Sequence, residues 1–135
     1  MTRFVVDAAT VIQLATEHIE VDPAHELLAP TLVRSQTLAM LHEAVVRGDL
    51  TADDAIARLA RINKLPIRLL GDAVLRRRAW DVATQLGWAS TYAAEYVALT
   101  QLQADALVTA DTELAGTAAD IVEIASIDRL RRRTT

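Results

Sequence analysis

Two carboxylates stand where short apolar runs end. Arg3-Phe4-Val5-Val6 leads into Asp7, and Ala104 to Thr109 leads through Ala110 into Asp111. Each run has the length and β-branched content of a buried strand, and a helical pattern follows each acid. In an open α/β sheet the ligand crevice lies beyond the carboxyl ends of the parallel strands. Two such strands running parallel would bring Asp7 and Asp111 to the same edge. Like charges gathered there are unfavourable unless something offsets them, and a hard divalent cation does that best. Each aspartate also suits the cap of the helix after it, so capping is the plainer reading of either one alone.

The elements that must position these acids follow from the spacing of the apolar residues. Val11, Ile12, Leu14 and Ala15 predict a first helix from Ala8 to about His18, broken by Val21-Asp22-Pro23. Glu26 to Pro30 reads as a brief extended segment, with Pro30 opening a helix that runs to Arg47 and stops at Gly48. Thr51 caps the next helix, with acids in its first turn. Leu65 to Leu70 is either an edge strand or a loop, because Pro66 permits both. A helix from Ala73 to Leu86 closes at Gly87, and another, capped by Ser90 or Thr91, reaches Gln103. The Asp111 strand, a short helix from Thr112 to Ala118, a third clear strand over Ile121 to Ala125 and an Arg-rich tail complete the chain. Strands separated by helices predict a parallel sheet with helices on both faces.

The totals bound the possibilities. At 135 residues the chain is expected to form one domain, 1–135, with a core of Ala, Leu, Val and Ile, since 52% of residues are hydrophobic and only 4% aromatic. The absence of cysteine excludes disulfides, thiolate metal sites and cysteine nucleophiles together, and fits a reducing, cytoplasmic setting. No signal-peptide pattern and no membrane-spanning run is visible. A net charge of −4 argues against a generic nucleic-acid binder. Positive charge is nonetheless concentrated in Arg76-Arg77-Arg78 and in Arg129, Arg131, Arg132 and Arg133. Such clusters can attract phosphates or an acidic partner, and the plainer reading is a solvated helix face and a chain-end tail. His18, His25 and His42 lack metal-ligand spacing, and no nucleophile elbow, P-loop or dinucleotide fingerprint is present. Trp80 and Trp88 read as core or interface anchors.

The order FVVDAATVI, LLAPTLVRSQTLAML, STYAAEYVALTQLQADALVTAD resembles the PIN-domain family, particularly the VapC-type toxins of bacterial toxin–antitoxin pairs. The likeness covers nearly the whole chain, and LVTAD is its most specific part. It implies a PIN-like α/β/α sandwich with a small, mainly parallel central sheet, and an endoribonuclease using Mg²⁺ or Mn²⁺. It further implies a cognate antitoxin, RNA as substrate and a homodimer. Asp7 matches the acid that ends the family's first strand. Asp111 matches the acid of its Thr-x-Asp element, with Thr109 as the hydroxyl beside it. Those two are the metal ligands the resemblance implies, with Gln36 and Thr109 positioning water or ligand.

Two family positions differ. A glutamate of the family is replaced by Gln36, and an aspartate by Ala93 in Ala93-Ala94-Glu95-Tyr96. Losing two formal negative charges from a four-acid cluster weakens Mg²⁺ binding, which depends on ligand charge. Glu43 shares the direction of Gln36 on its helix but is displaced by about 10 Å along the axis. Glu95 points about 200° away from Ala93 and complements its helix N-terminus instead. Asp128 reads as a turn or cap residue. Gln36 itself reads either as a neutral ligand for a metal-bound water or as a buried amide bonded to backbone or to Asp7. Tyr96, on the helix of the missing acid, is a candidate for the crevice mouth.

Three functions remain: a VapC-like, metal-dependent ribonuclease; an inactive PIN domain that binds RNA, antitoxin or a second copy; and a receiver-like domain phosphorylated on an aspartate. The third lacks paired acids after the first strand, and the only lysine, Lys64, lies in a helix-to-loop segment.

Overall fold

A computed structural model describes residues 1–132; Arg133 of the basic tail lies outside the described residues. The strands are β1 (Thr2–Val6), β2 (His25–Pro30), β3 (Ile67–Leu70), β4 (Ala106–Val108) and β5 (Ile124–Ala125). They form one sheet in the order β3-β2-β1-β4-β5, and every pairing is parallel. The helices are α1 (Ala8–Thr16), α2 (Leu32–Val46), α3 (Ala52–Asn63), α4 (Ala73–Leu86), α5 (Tyr92–Gln103) and α6 (Thr112–Ala118), and a 3₁₀ turn spans Ile127–Leu130. This is a PIN-like α/β/α sandwich. Among the described residues no helix is long and apolar enough to cross a membrane.

The two helical layers follow from the handedness of parallel connections. From β1 the chain steps to β2 and then to β3 in one direction, so right-handed crossovers put α1, α2 and α3 on one face, where they pack on one another. From β3 it returns past β2 and β1 to β4 and then β5, which puts α4, α5 and α6 on the other. The direction reverses between β1 and β4. Between the layers Phe4, Val5, Val6, Leu27, Leu28, Leu107 and Val108 are almost wholly buried and form the floor of both cores. Burying each such side chain contributes about 1.5–3 kcal/mol.

Several local expectations hold to the residue. The Thr51 hydroxyl accepts from the Asp54 N–H and starts α3. Gly87 closes α4 in the left-handed conformation, at φ 70°. Two boundaries differ, and one open alternative is decided. Pro30 ends β2 instead of opening α2. It is tolerated in that central strand because the pairing with β1 stops at Leu28, so no β1 carbonyl lacks a donor at Pro30. Leu65–Leu70 resolves into the edge strand β3. The third expected strand shrinks to Ile124–Ala125, because the N–H groups of Ile121 and Val122 both donate back to Ala118 and continue the exit from α6. Trp88 packs against the core, as expected of an anchor, whereas Trp80 is 65% exposed. His18 sits exposed just past α1, at φ 50°.

Candidate functional site

The reversal of direction between β1 and β4 makes a topological switch point, the place where open α/β sheets hold ligands. Val6 pairs with Val108, so Asp7 and Thr109 leave adjacent strands at the same level, about 4.8 Å apart across the ladder. Asp111 follows two residues later. The two acids singled out by spacing thus emerge at one edge, on either side of the switch point.

Both aspartates also cap helices. One Asp7 carboxylate oxygen accepts from the Thr10 N–H at 2.9 Å, and the Thr10 hydroxyl donates to the Val108 carbonyl at 3.2 Å, tying α1 to the end of β4. Asp7 is only 9% exposed. One Asp111 oxygen accepts from the N–H groups of Glu113 and Leu114, each at 3.0 Å, starting α6. The buried Thr109 hydroxyl accepts from the Asp111 N–H at 3.0 Å, which sets the turn that carries Asp111.

Gln36 is half-buried in α2, and its amide oxygen accepts from the Tyr96 hydroxyl of α5. Its partner is therefore neither backbone nor Asp7. Tyr96 is buried, and its phenol pKa is driven well above the ordinary value, first by burial and then by the negative charges of Asp7 and Glu95. Burial also raises the Glu95 carboxyl, and the Arg76 guanidinium partly reverses that rise. Tyr96 is the residue whose role the spacing of acids could not supply. The signal available was a phenol three residues past Ala93, on the same helical face, that needs a partner if buried.

Ala93 and Asp111 line a common cavity of about 380 Å³ with Trp88, Ser90, Glu113 and Leu114. The space beside Asp111 thus meets a methyl group where the resemblance implies a carboxylate. Glu43 lines a separate cavity with Met40, Arg47 and Arg58. Asp128 sits in the 3₁₀ turn and pairs with Arg131 at 3.0 Å.

A hard cation needs several oxygen donors converging on one point. Among the described residues no three His, Asp or Glu side chains are gathered closely enough to hold a metal ion. One oxygen of each strand-end aspartate is committed to a helix cap, and the Gln36 oxygen is engaged by Tyr96. The residues present do not fit such a cation as a group held by the protein alone.

No protein-family model matches the chain, and no curated protein matches it. Solved structures do. PAE2754 from Pyrobaculum aerophilum is 21% identical, with a TM-score of 0.73 over 96% of this chain and 92% of that one. VapBC2 from Rickettsia felis, bound to a DNA fragment from its promoter, gives 10% identity and a TM-score of 0.61 over 92% and 98%. VapBC-1 from nontypeable Haemophilus influenzae gives 13% and 0.54 over 93% and 98%. The likeness is one of fold. It covers more than nine-tenths of this chain and of each of those chains.

Proposed function

We propose that this chain is a VapC-like, RNA-binding PIN domain of a toxin–antitoxin pair, with an acidic centre too depleted to hold Mg²⁺ or Mn²⁺ by itself. The observation that carries the reading is the arrangement at the switch point. Asp7 and Asp111 flank it, while Gln36, tied to Tyr96, and Ala93 occupy the positions where the resemblance implies two further acids. A neutral amide and a methyl group lower the negative charge that would otherwise repel a phosphate backbone in the absence of metal. A cytoplasmic location belongs to the same reading.

An antitoxin partner is supported by two facts. Two of the similar structures are VapBC proteins. Helix α2 buries only Val33, Thr37 and Leu41 and leaves Leu38, Met40 and Val46 exposed. A helix apolar on more than one side is normally covered by something. The homodimer is implied by the resemblance.

A second reading, a ribonuclease that recruits Mg²⁺ or Mn²⁺ together with its RNA, rests on Asp7 and Asp111 lying at the same sheet edge. Mg²⁺ commonly binds through one or two carboxylates plus substrate phosphates. One experiment separates the two. RNA binding and RNA cleavage are measured in parallel, with EDTA and with Mg²⁺ or Mn²⁺ in millimolar excess, alongside calorimetric titration of the protein with each metal. The first reading expects RNA binding that survives EDTA, no saturable metal binding and no cleavage. Metal-dependent cleavage abolished by Asp7→Asn would replace it with the second.

A further inference from the structure

Helix α4 carries one of the two arginine clusters of an acidic chain, and none of its charge serves the core. Leu75, Ala79, Val82 and Ala83 are the buried residues of this helix. Arg77 lies opposite those residues, and Arg76 and Trp80 fall within about 100° of it on one side; Arg78 lies about 100° away on the other, about 160° from Trp80. Trp80 is 65% exposed, an unusual state for a residue that is mostly buried in folded proteins. Arg77 pairs with Asp81 at 3.3 Å on the open surface, a pairing that water and salt weaken. Among the described residues Arg76 and Arg78 make no salt bridge.

The position of the helix gives this face a direction. Asp72, its N-cap, lies two residues past the carboxyl end of β3, and Gly87, its C-cap, lines the cavity that Asp111 borders. From β3 to β4 is three strand spacings, about 14 Å. Fourteen helical residues span about 21 Å, enough to cross that distance. Both ends of α4 thus lie on the side of the molecule where Asp7 emerges, and Arg76 is close enough to Glu95 to influence its carboxyl.

We propose that the outer face of α4, made of Arg76, Arg77 and Trp80, is a docking surface for single-stranded RNA leading to the Asp7 crevice. The inference rests on the RNA-binding reading above. The choice of occupant follows from chemistry. Arginines pair with phosphates, and an exposed indole stacks on a base only where the base is unpaired. A duplex would offer the charge without the free base faces, and an acidic protein would not need the indole.

The test uses the full chain and a fluorescently labelled single-stranded oligoribonucleotide of mixed sequence, followed by anisotropy across a salt series. Trp80→Ala is expected to weaken binding about tenfold, and Trp80→Phe to restore part of that loss. Arg76→Gln combined with Arg77→Gln should lower the slope of log K against log salt by about 1.4, at about 0.7 for each phosphate no longer neutralised. Arg47→Gln combined with Arg58→Gln removes the same charge from the α2–α3 side and should leave the affinity unchanged. A duplex of the same sequence should bind less tightly than the single strand. If wild-type protein binds the RNA and the α4 variants bind equally well, the α4 proposal fails while the RNA-binding reading stands. If wild-type protein does not bind RNA, both fail. If Trp80→Ala splits an oligomer without changing RNA affinity, the face is a subunit interface and the proposal is overturned.

Discussion

The Tyr96 hydroxyl donates to the Gln36 amide oxygen and joins α5 to α2 across the carboxyl edge of the sheet. The two helices belong to opposite layers of the sandwich, so this bond ties one layer to the other. A glutamate at position 36 would accept the same bond, but it would add a charge beside Asp7 that only a cation could offset. The amide keeps the bond without that charge.

Tyr96→Phe is expected to cost about 1 kcal/mol at neutral pH, the usual net worth of one intramolecular hydrogen bond. The pH dependence carries more information. The folded phenol has its pKa raised above the ordinary value of 10.0, so above that pH the unfolded chain loses the proton while the native protein keeps it. The stability associated with the neutral phenol is fully present below the ordinary value and is lost as pH rises through the folded one. Urea denaturation of wild type and Tyr96→Phe from neutral to alkaline pH should therefore converge above about pH 10. Parallel curves would mean that the hydroxyl is not buried beside Asp7.

Asp111 has two separable jobs, and two substitutions distinguish them. Asp111→Ala removes the acceptor of the Glu113 and Leu114 N–H groups and should cost about 1 kcal/mol, with α6 the first element to loosen. Asp111→Asn keeps a capping oxygen and removes the charge, so it should cost only a few tenths. A change in RNA affinity with Asp111→Asn at unchanged stability would assign the charge to the site. Equal loss of stability in both variants would contradict the cap geometry.

How much of the molecule was legible in the sequence depended on whether local or distant physics decided a residue. Asp7 and Asp111 could be read from apolar runs that end in a charge, and the Gly87 and Thr51 boundaries from local backbone chemistry. Their parallel sheet followed from alternating strands and helices. Pro30 misled because its tolerance depends on how far β1 runs alongside β2, a fact of register that the local pattern does not contain. Ile121 and Val122 misled because their β-branched side chains read as strand, whereas their N–H groups are taken up by the Ala118 carbonyl at the exit of α6. Tyr96 and Gln36 are sixty positions apart and meet only when the layers assemble. No local rule pairs them, although a buried phenol announces that it needs some partner.

Gly71 tests the packing at the start of α4. A Cβ placed there would lie 2.8 Å from the Thr31 hydroxyl oxygen and 3.1 Å from its methyl carbon. Gly71→Ala should destabilise the fold by about 1–3 kcal/mol, as overpacking does. The Thr31 side chain makes no capping bond to α2, so Thr31→Ala alone should cost little. Combining the two should recover most of the loss, measurable as a double-mutant cycle in urea. Additive losses would place the strain elsewhere.

Restoring the two missing acids tests the site as a whole. Ala93 already faces a cavity of about 380 Å³ shared with Asp111, so Ala93→Asp has room for its carboxylate. Gln36→Glu keeps the acceptor for Tyr96 and adds charge within its reach. With no cation present, like charges should raise the pKa values of the introduced acids. A raised folded pKa means stability is present below the ordinary carboxylate range and lost as pH rises through the folded values. The doubly substituted protein should therefore melt below wild type at pH 7 and close to it in acid. Mg²⁺ should reverse the neutral-pH deficit, by about 1.4 kcal/mol when the ion stands at about ten times its Kd. Wild type should melt at the same temperature with and without Mg²⁺. A folded double variant equally indifferent to Mg²⁺ would show that positions 36 and 93 do not converge with Asp7 and Asp111 on one ion.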